Sequence, residues 1–187
     1  MPEASVGVAT PEEDLVDLAR CGDGPSREEL FRRHFGISYR VAFRLLGHEH
    51  DALDAVQDGF LKALAHLEEF DGRSGFRTWL LRIVTNAALD LGRRRRRRPW
   101  VTLEESALEE SSDREEDPSD GLHREDLRRI LNDALQILSP STRSTFILFA
   151  EAELSYKEIA DCENVPIGTV MSRLHYARQK LQGHLQG

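Results

Sequence analysis

From residue 11 to residue 98, apolar side chains recur three or four positions apart and nowhere alternate over the length of a strand. That period is the signature of amphipathic helices. A short helix is expected over Glu12 to Arg20, ended by Gly22 and Gly24. Ser26, with Glu29 three residues later, makes a capping box that opens a second helix through Phe31, Phe35, Val41 and Leu45. Gly47 stops it. A third helix is predicted from about Asp51 to Glu69, with Leu53, Val56, Phe60, Leu64 and Leu67 on its buried face and Asp54, Asp58 and Lys62 along another. The fourth follows FDGRSG and carries Phe76, Leu80, Ile83, Ala87 and Leu91 inward. It runs into six consecutive arginines, Arg93 to Arg98, whose cations suit a helix C-terminus.

A second helical pattern begins with Leu127, Leu131, Ala134 and Leu138. Ser139 followed by Pro140 ends that stripe and restarts a helix, as an N-cap serine with proline at the first helical position does. This helix holds Phe146 and Phe149. Ser155 and Glu158 form another capping box, with Ile159 and Ala160 directed inward, and Pro166 with Gly168 breaks the chain before Thr169 and a last amphipathic helix. The outline is a helix-turn-helix: Ile159, Val165, Val170 and Leu174 pack its two helices, leaving Ser172, Arg173, His175, Tyr176 and Lys180 available to a groove. The whole chain therefore reads as all-α. Two small helical domains, 11–99 and 127–187, follow a disordered N-terminus of residues 1–10 and are joined by a flexible segment, 100–126.

Length supports one or two domains, at 187 residues. Charge changes the picture more. The net charge of −8 argues against nucleic acid as a whole-chain average, yet residues 101–126 alone carry 11 acidic and 2 basic side chains. Outside that segment the chain is almost neutral and locally basic. The segment is rich in Ser, Asp and Glu, contains Pro118 and Gly121, and lacks aromatic residues, which is the composition of a linker. Cys21 and Cys162 are too few for a disulfide scaffold or a zinc site and read as free thiols. No stretch approaches the roughly 20 apolar residues that span a bilayer, and the N-terminus lacks a signal pattern. A soluble intracellular protein without membrane insertion is expected.

Three stretches, DALDAVQDGFLKAL, FDGRSGFRTWLLRIVTNAALDLGRRRRRR and LSYKEIADCENVPIGTVMSRLHYARQKL, resemble in order and spacing the bacterial extracytoplasmic-function (ECF) sigma factors. By this resemblance residues 11–98 correspond to sigma region 2 and residues 127–184 to region 4, without the large middle domain of housekeeping sigma factors. It implies a cytoplasmic bacterial protein that is not an enzyme and needs no cofactor or metal. Its implied partners are core RNA polymerase, promoter DNA and an anti-sigma factor.

Each implied task makes a physical demand. Opening the minus-ten element costs a few kcal/mol per unstacked base, and stacking on an aromatic side chain returns roughly 1 to 3 kcal/mol. Phe70, Phe76 and Trp79 with Arg73, Arg77 and Arg82 supply aromatic faces and cations. Phe76 and Trp79 also fall on the apolar face of the fourth helix, where core packing is the simpler role. The family's base-capturing loop corresponds to Phe70, Asp71, Gly72, Arg73, Ser74 and Gly75, and Asn86 matches the family's asparagine on the following helix. The minus-thirty-five element falls to the last helix, with Thr169, Ser172, Arg173, His175, Tyr176, Arg178 and Lys180 as contacts. Here the chain departs from the commonest pattern: Met171 stands where a lysine or arginine is usual, and Tyr176 where an arginine is usual. The departure implies more reliance on shape and apolar contact. Asp54, Gln57, Asp58 and Lys62 match the family's surface for the polymerase clamp helices.

The 26 linker residues reach on the order of 85 Å when extended but average roughly 25 to 30 Å as a coil. Promoter elements two helical turns apart lie on the order of 70 Å from each other, so occupying both requires a stretched linker. Two other classes account for parts of the sequence. A stand-alone helix-turn-helix regulator would leave the first domain unexplained. A metal enzyme using His48, His50, Asp51, Asp54 and Asp58 lacks a second ligand-bearing helix.

Overall fold

A computed structural model describes residues 10–97 and 131–185, and every regular element within them is helical. The expectations for residues 1–9, for the acidic segment and for Leu127 lie outside the described residues. The N-terminal bundle comprises α1 (Glu12–Arg20), α2 (Gly24–Leu46), α3 (Glu49–Ala65), a 3-10 turn (Leu67–Glu69) and α4 (Phe76–Arg97). The C-terminal bundle comprises a helical segment over 131–136, then α5 (Pro140–Ala150), α6 (Tyr156–Glu163) and α7 (Ile167–Leu185).

The helix ends follow local chemistry. α2 is not opened by the expected Ser26–Glu29 capping box. Its N-cap is Asp23, whose carboxylate accepts from the Ser26 N–H at 2.8 Å, with proline in the first turn. An aspartate three residues upstream already satisfies that orphan donor, and Glu29 turns outward to Arg32 and Arg33. Gly47, at φ +79°, ends α2 in the left-handed region and donates to the Phe43 carbonyl. The Ser139 cap with Pro140 and the Ser155–Glu158 capping box form as predicted. At the helix-turn-helix, however, the chain reverses at Asn164, in the left-handed region at φ +53°, and Gly168 belongs to the first turn of α7. Asparagine adopts that conformation at little cost, which leaves Pro166 free to lead into the next helix.

α3 also presents a different face from the one the leucines suggested. Its buried residues are Asp51, Ala52, Ala55, Val56, Gly59 and Ala63, whereas Leu53 and Leu61 are exposed. Small residues win because α3 lies hard against α4: a Cβ on Gly59 would sit 2.8 Å from Val84 Cγ2 and 3.0 Å from Val84 Cα. Leucines could not fit at that separation, so they are displaced to the flanks. From α4, Leu80, Leu81, Val84 and Ala88 complete the seam, and Leu30, Val41 and Ala42 of α2 close the core. Asp51, buried at the start of α3, pairs with Arg95 at 2.6 Å and so holds one member of the arginine run against the bundle.

The two bundles are docked, α2 against α5 and α4 against α6. Arg143 of α5 is buried and donates to Leu45 O at 3.4 Å and to Gln136 O and Leu138 O at 3.2 Å. One guanidinium thus serves carbonyls at two helix ends, where the helix dipole favours a cation. Around it, Arg44 pairs with Glu151 at 2.8 Å and reaches Asn132 Oδ1 at 3.2 Å.

A glycine inside a helix ordinarily costs about 1 kcal/mol relative to alanine. At Gly59 the sign reverses, because the added methyl must displace backbone. Gly59→Ala is expected to destabilise the protein by about 1 to 3 kcal/mol. Urea denaturation checks this, and a stabilised variant would contradict the close approach.

Candidate nucleic-acid and polymerase interfaces

The residues expected at the minus-ten element fall into two groups. Phe70, Phe76 and Trp79 form one aromatic cluster, with ring centroids 5.2 to 5.8 Å apart. Phe70 is 8% and Phe76 3% exposed, so the loop phenylalanine turns into the core and only Trp79 keeps an accessible part. His34 backs this cluster at 5.4 Å from Phe76 and holds Glu12 at 3.0 Å. Its burial lowers the imidazole pKa despite the opposing Glu12 charge. The second group remains outside: Asp71, Arg73, Arg82 and Asn86 are exposed and Ser74 is half-buried. Gly72, at φ +71°, turns the loop so that Asp71 caps the Arg73 N–H at 3.1 Å and pairs with its guanidinium at 3.0 Å.

This loop faces the other bundle. A cleft of about 690 Å³ is lined by Arg73, Thr78, Trp79 and Arg82 on one side and by Asp161 and Pro166 on the other, among others. Arg77 donates to Ala152 O at 2.6 Å and Thr78 Oγ1 to Glu158 at 3.2 Å, which ties the start of α4 to the first helix of the helix-turn-helix. Cys162 lines the same cleft, but burial first and Glu163 second push its thiol up to about 12, so it stays protonated. Both cysteines are free thiols.

On α7 the expected contacts separate as well. Ser172, His175, Tyr176, Arg178 and Lys180 are exposed, and Thr169 is half-buried. Arg173 is withdrawn: it pairs with the largely buried Glu163 at 2.9 Å, and Glu163 also accepts from Ser144 and Thr145. Arg178 lies over the Phe149 ring at 5.3 Å and Lys180 over the Tyr176 ring at 5.7 Å.

The candidate polymerase face is the outward side of α3. Asp54, Gln57, Asp58 and Lys62 are all exposed, with Lys62 and Asp58 paired at 2.7 Å. Leu53 and Leu61 flank them at 41% and 60% exposure. Sequence reasoning missed these leucines by assigning one of them, Leu53, to the core. The small residues at 52, 55, 59 and 63 carried the signal that would have corrected it. It also missed Arg143, Arg44 and Glu158 as docking residues, whose partners lie far away in the sequence. Among the described residues no group of His, Cys, Asp or Glu could hold a metal ion.

Two helical bundles, one ending in a helix-turn-helix and the other turning the loop before α4 toward it, define a two-region sigma architecture. Residues 30–98 match the family described as Sigma-70 region 2, and residues 128–181 that described as Sigma-70, region 4. The chain is 38% identical over 165 residues to the ECF RNA polymerase sigma factor SigE of Mycolicibacterium smegmatis, over 86% of this chain and 62% of that protein's length. It is 35% identical over 185 residues to the ECF RNA polymerase sigma-E factor of Haemophilus influenzae, covering 94% and 95% of the two chains. Among solved structures, CnrH in complex with the cytosolic domain of CnrY shares the fold with a TM-score of 0.72 at 27% identity, covering 94% of this chain and 97% of CnrH. The sigma factor RpoE in complex with the anti-sigma factor NepR from Bartonella quintana gives a TM-score of 0.66 at 28% identity, over 85% and 96%. The chain belongs to the ECF RNA polymerase sigma factors.

The Glu158 carboxyl is held below its usual range, first by the Ser155 hydroxyl, then by the Ser155 N–H, Thr78 and Arg77, against a burial cost. A carboxyl with a lowered folded pKa contributes stability above its unfolded value, and that contribution is lost as pH falls through the folded value. The loss should therefore begin below about pH 4.5, the ordinary value for this carboxyl. Glu158→Gln is expected to flatten this part of the acid limb of thermal unfolding. An NMR titration midpoint for Glu158 at or above 4.5 would contradict the assignment.

Proposed function

We propose that this chain binds core RNA polymerase through α3 and directs it to promoters. The loop before α4 engages the minus-ten element and α7 the minus-thirty-five element. The observation that carries this reading is the outward face of α3: Gln57 and two carboxylates stand between exposed Leu53 and Leu61 on a helix whose opposite side is locked to α4. An uncovered face of mixed apolar and acidic character suits a protein partner with a basic rim. For the minus-ten element, Asp71, Arg73, Arg82 and Asn86 with the accessible part of Trp79 are the proposed contacts. Phe70, Phe76 and Arg77 support that surface from beneath. Arg82 and Asn86 are one helical turn apart on the same side of α4, so both can follow one strand.

The likeness to RpoE, solved with its anti-sigma factor, supports an anti-sigma partner here too. Residence in the bacterial cytoplasm follows from the proposed polymerase, and no described helix is long and apolar enough to cross a membrane. No catalytic step is assigned to any residue.

Run-off transcription with core polymerase and a genomic DNA library tests the function and returns promoter sequences. Replacing both Gln57 and Asp58 by alanine is expected to weaken holoenzyme assembly more than tenfold without changing thermal unfolding, since exposed positions contribute little to the fold. Normal assembly by that variant would reject α3 as the docking face.

Elements roughly 70 Å apart cannot both be reached while α6 is tied to the start of α4, so the bundles must part on the promoter. With dyes on the exposed Cys21 and on Gln182→Cys, energy transfer should fall when holoenzyme binds promoter DNA. Unchanged transfer would contradict parting.

A further inference from the structure

The first three turns of the recognition helix contain one lysine or arginine, Arg173, and its guanidinium is engaged inward by Glu163. What those turns offer outward is apolar or weakly polar: Met171 is 54% and Tyr176 47% exposed, with the exposed Ser172 and His175 between them on the helix surface. Arg178 and Lys180, farther along α7, are exposed cations. An outer face with apolar groups and no outward guanidinium in its first turns, followed by exposed cations farther along, suits a major-groove floor flanked by phosphates. The one apolar group a base pair presents on that groove's floor is the thymine C5-methyl, because the other edges are hydrogen-bond donors and acceptors. A guanidinium would select guanine there, and the only one available in these turns is already paired.

We propose that Met171 is a specificity-determining contact that selects thymine in the upstream promoter element through its methyl group. Met171 is unbranched and polarisable, so it can settle around a methyl without a fixed donor geometry. Ser172 and His175, within one turn of it, are placed to hydrogen-bond the adjoining base edges. Lys180, over the Tyr176 ring, stands where a strand phosphate would pass. This inference rests on the proposed role of α7 at the minus-thirty-five element.

The test uses holoenzyme assembled from the full chain and core polymerase. Upstream elements are selected from duplexes randomised over that region, and each thymine in a recovered element is then replaced singly by deoxyuridine, which removes only the methyl. Binding is expected to weaken about fourfold at one or two positions, the loss that follows from leaving one buried methyl group unfilled. Met171→Ala holoenzyme should show no such difference at those positions. Because the change is made in the DNA, the wild-type result stands even if that variant folds poorly. Equal binding of thymine and deoxyuridine at every position, or recovered elements without a fixed thymine, would overturn the proposal while leaving the sigma reading intact. Failure to recover any element would overturn both.

Discussion

At Gly59 the backbone of α3 comes within one methyl group of the backbone of α4. A helix pair this close can be filled only by small side chains, so Ala52, Ala55 and Ala63 share the seam. The rest of the N-terminal bundle is a consequence. With the inner side of α3 consumed by alanines, its larger residues are turned away from the core, and a helix that would otherwise bury its leucines displays them beside Asp54, Gln57 and Asp58. The same seam fixes the rotation of α4 about its axis. That rotation sets which residues near its start can face outward, and Arg82 and Asn86 emerge while Phe76 and Leu80 are enclosed. A packing distance thereby determines which residues of both helices face outward.

The contact between the bundles is of another kind. Its described bonds run through guanidinium groups, carbonyls and carboxylates: Arg143 to Leu45 O, Arg44 to Glu151, Arg77 to Ala152 O and Thr78 to Glu158. Such groups recover hydrogen bonds from water when separated, so the net gain from each is modest. Beneath these bonds the buried apolar residues of both bundles join in one cluster. The seam and the docking contact therefore differ in chemistry: small side chains let the helices of the seam approach, whereas polar bonds frame the contact between the bundles.

The order of helices, their caps and the helix-turn-helix were legible because each depends on residues within a few positions of one another. Ser139–Pro140 and Ser155–Glu158 are complete instructions in themselves. The errors arose where another residue outbid the one that the local pattern favours. Ser26 and Glu29 have the spacing of a capping box, but Asp23 lies nearer the chain reversal and takes the N–H first. Leu53 has helical periodicity with Val56 and Phe60, but periodicity cannot disclose that α4 approaches too closely for leucine. Phe70 lies in a loop by sequence, and only the meeting of Phe76 and Trp79 draws it inward. Likewise Arg173 reads as a groove contact until folding brings Glu163 beneath it. Charge and aromaticity gather these residues along the sequence, while burial, a property of the assembled bundle, divides them between core and surface.

The inward ion pair of Arg173 has a consequence for how this protein can change. Glu163, Arg173, Ser144 and Thr145 lock α7 to the two helices behind it, and Val170, Leu174 and Ala177 finish the join. Nothing in that frame depends on the identity of residues 171, 172, 175 or 176. Substitution there leaves folding almost untouched, since exposed positions away from caps and networks shift stability by at most about 0.5 kcal/mol. The lettering on the outer surface can thus be rewritten one residue at a time over an unchanged mount. Gene copies of such a chain could diverge toward separate sets of promoters without passing through an unfolded ancestor.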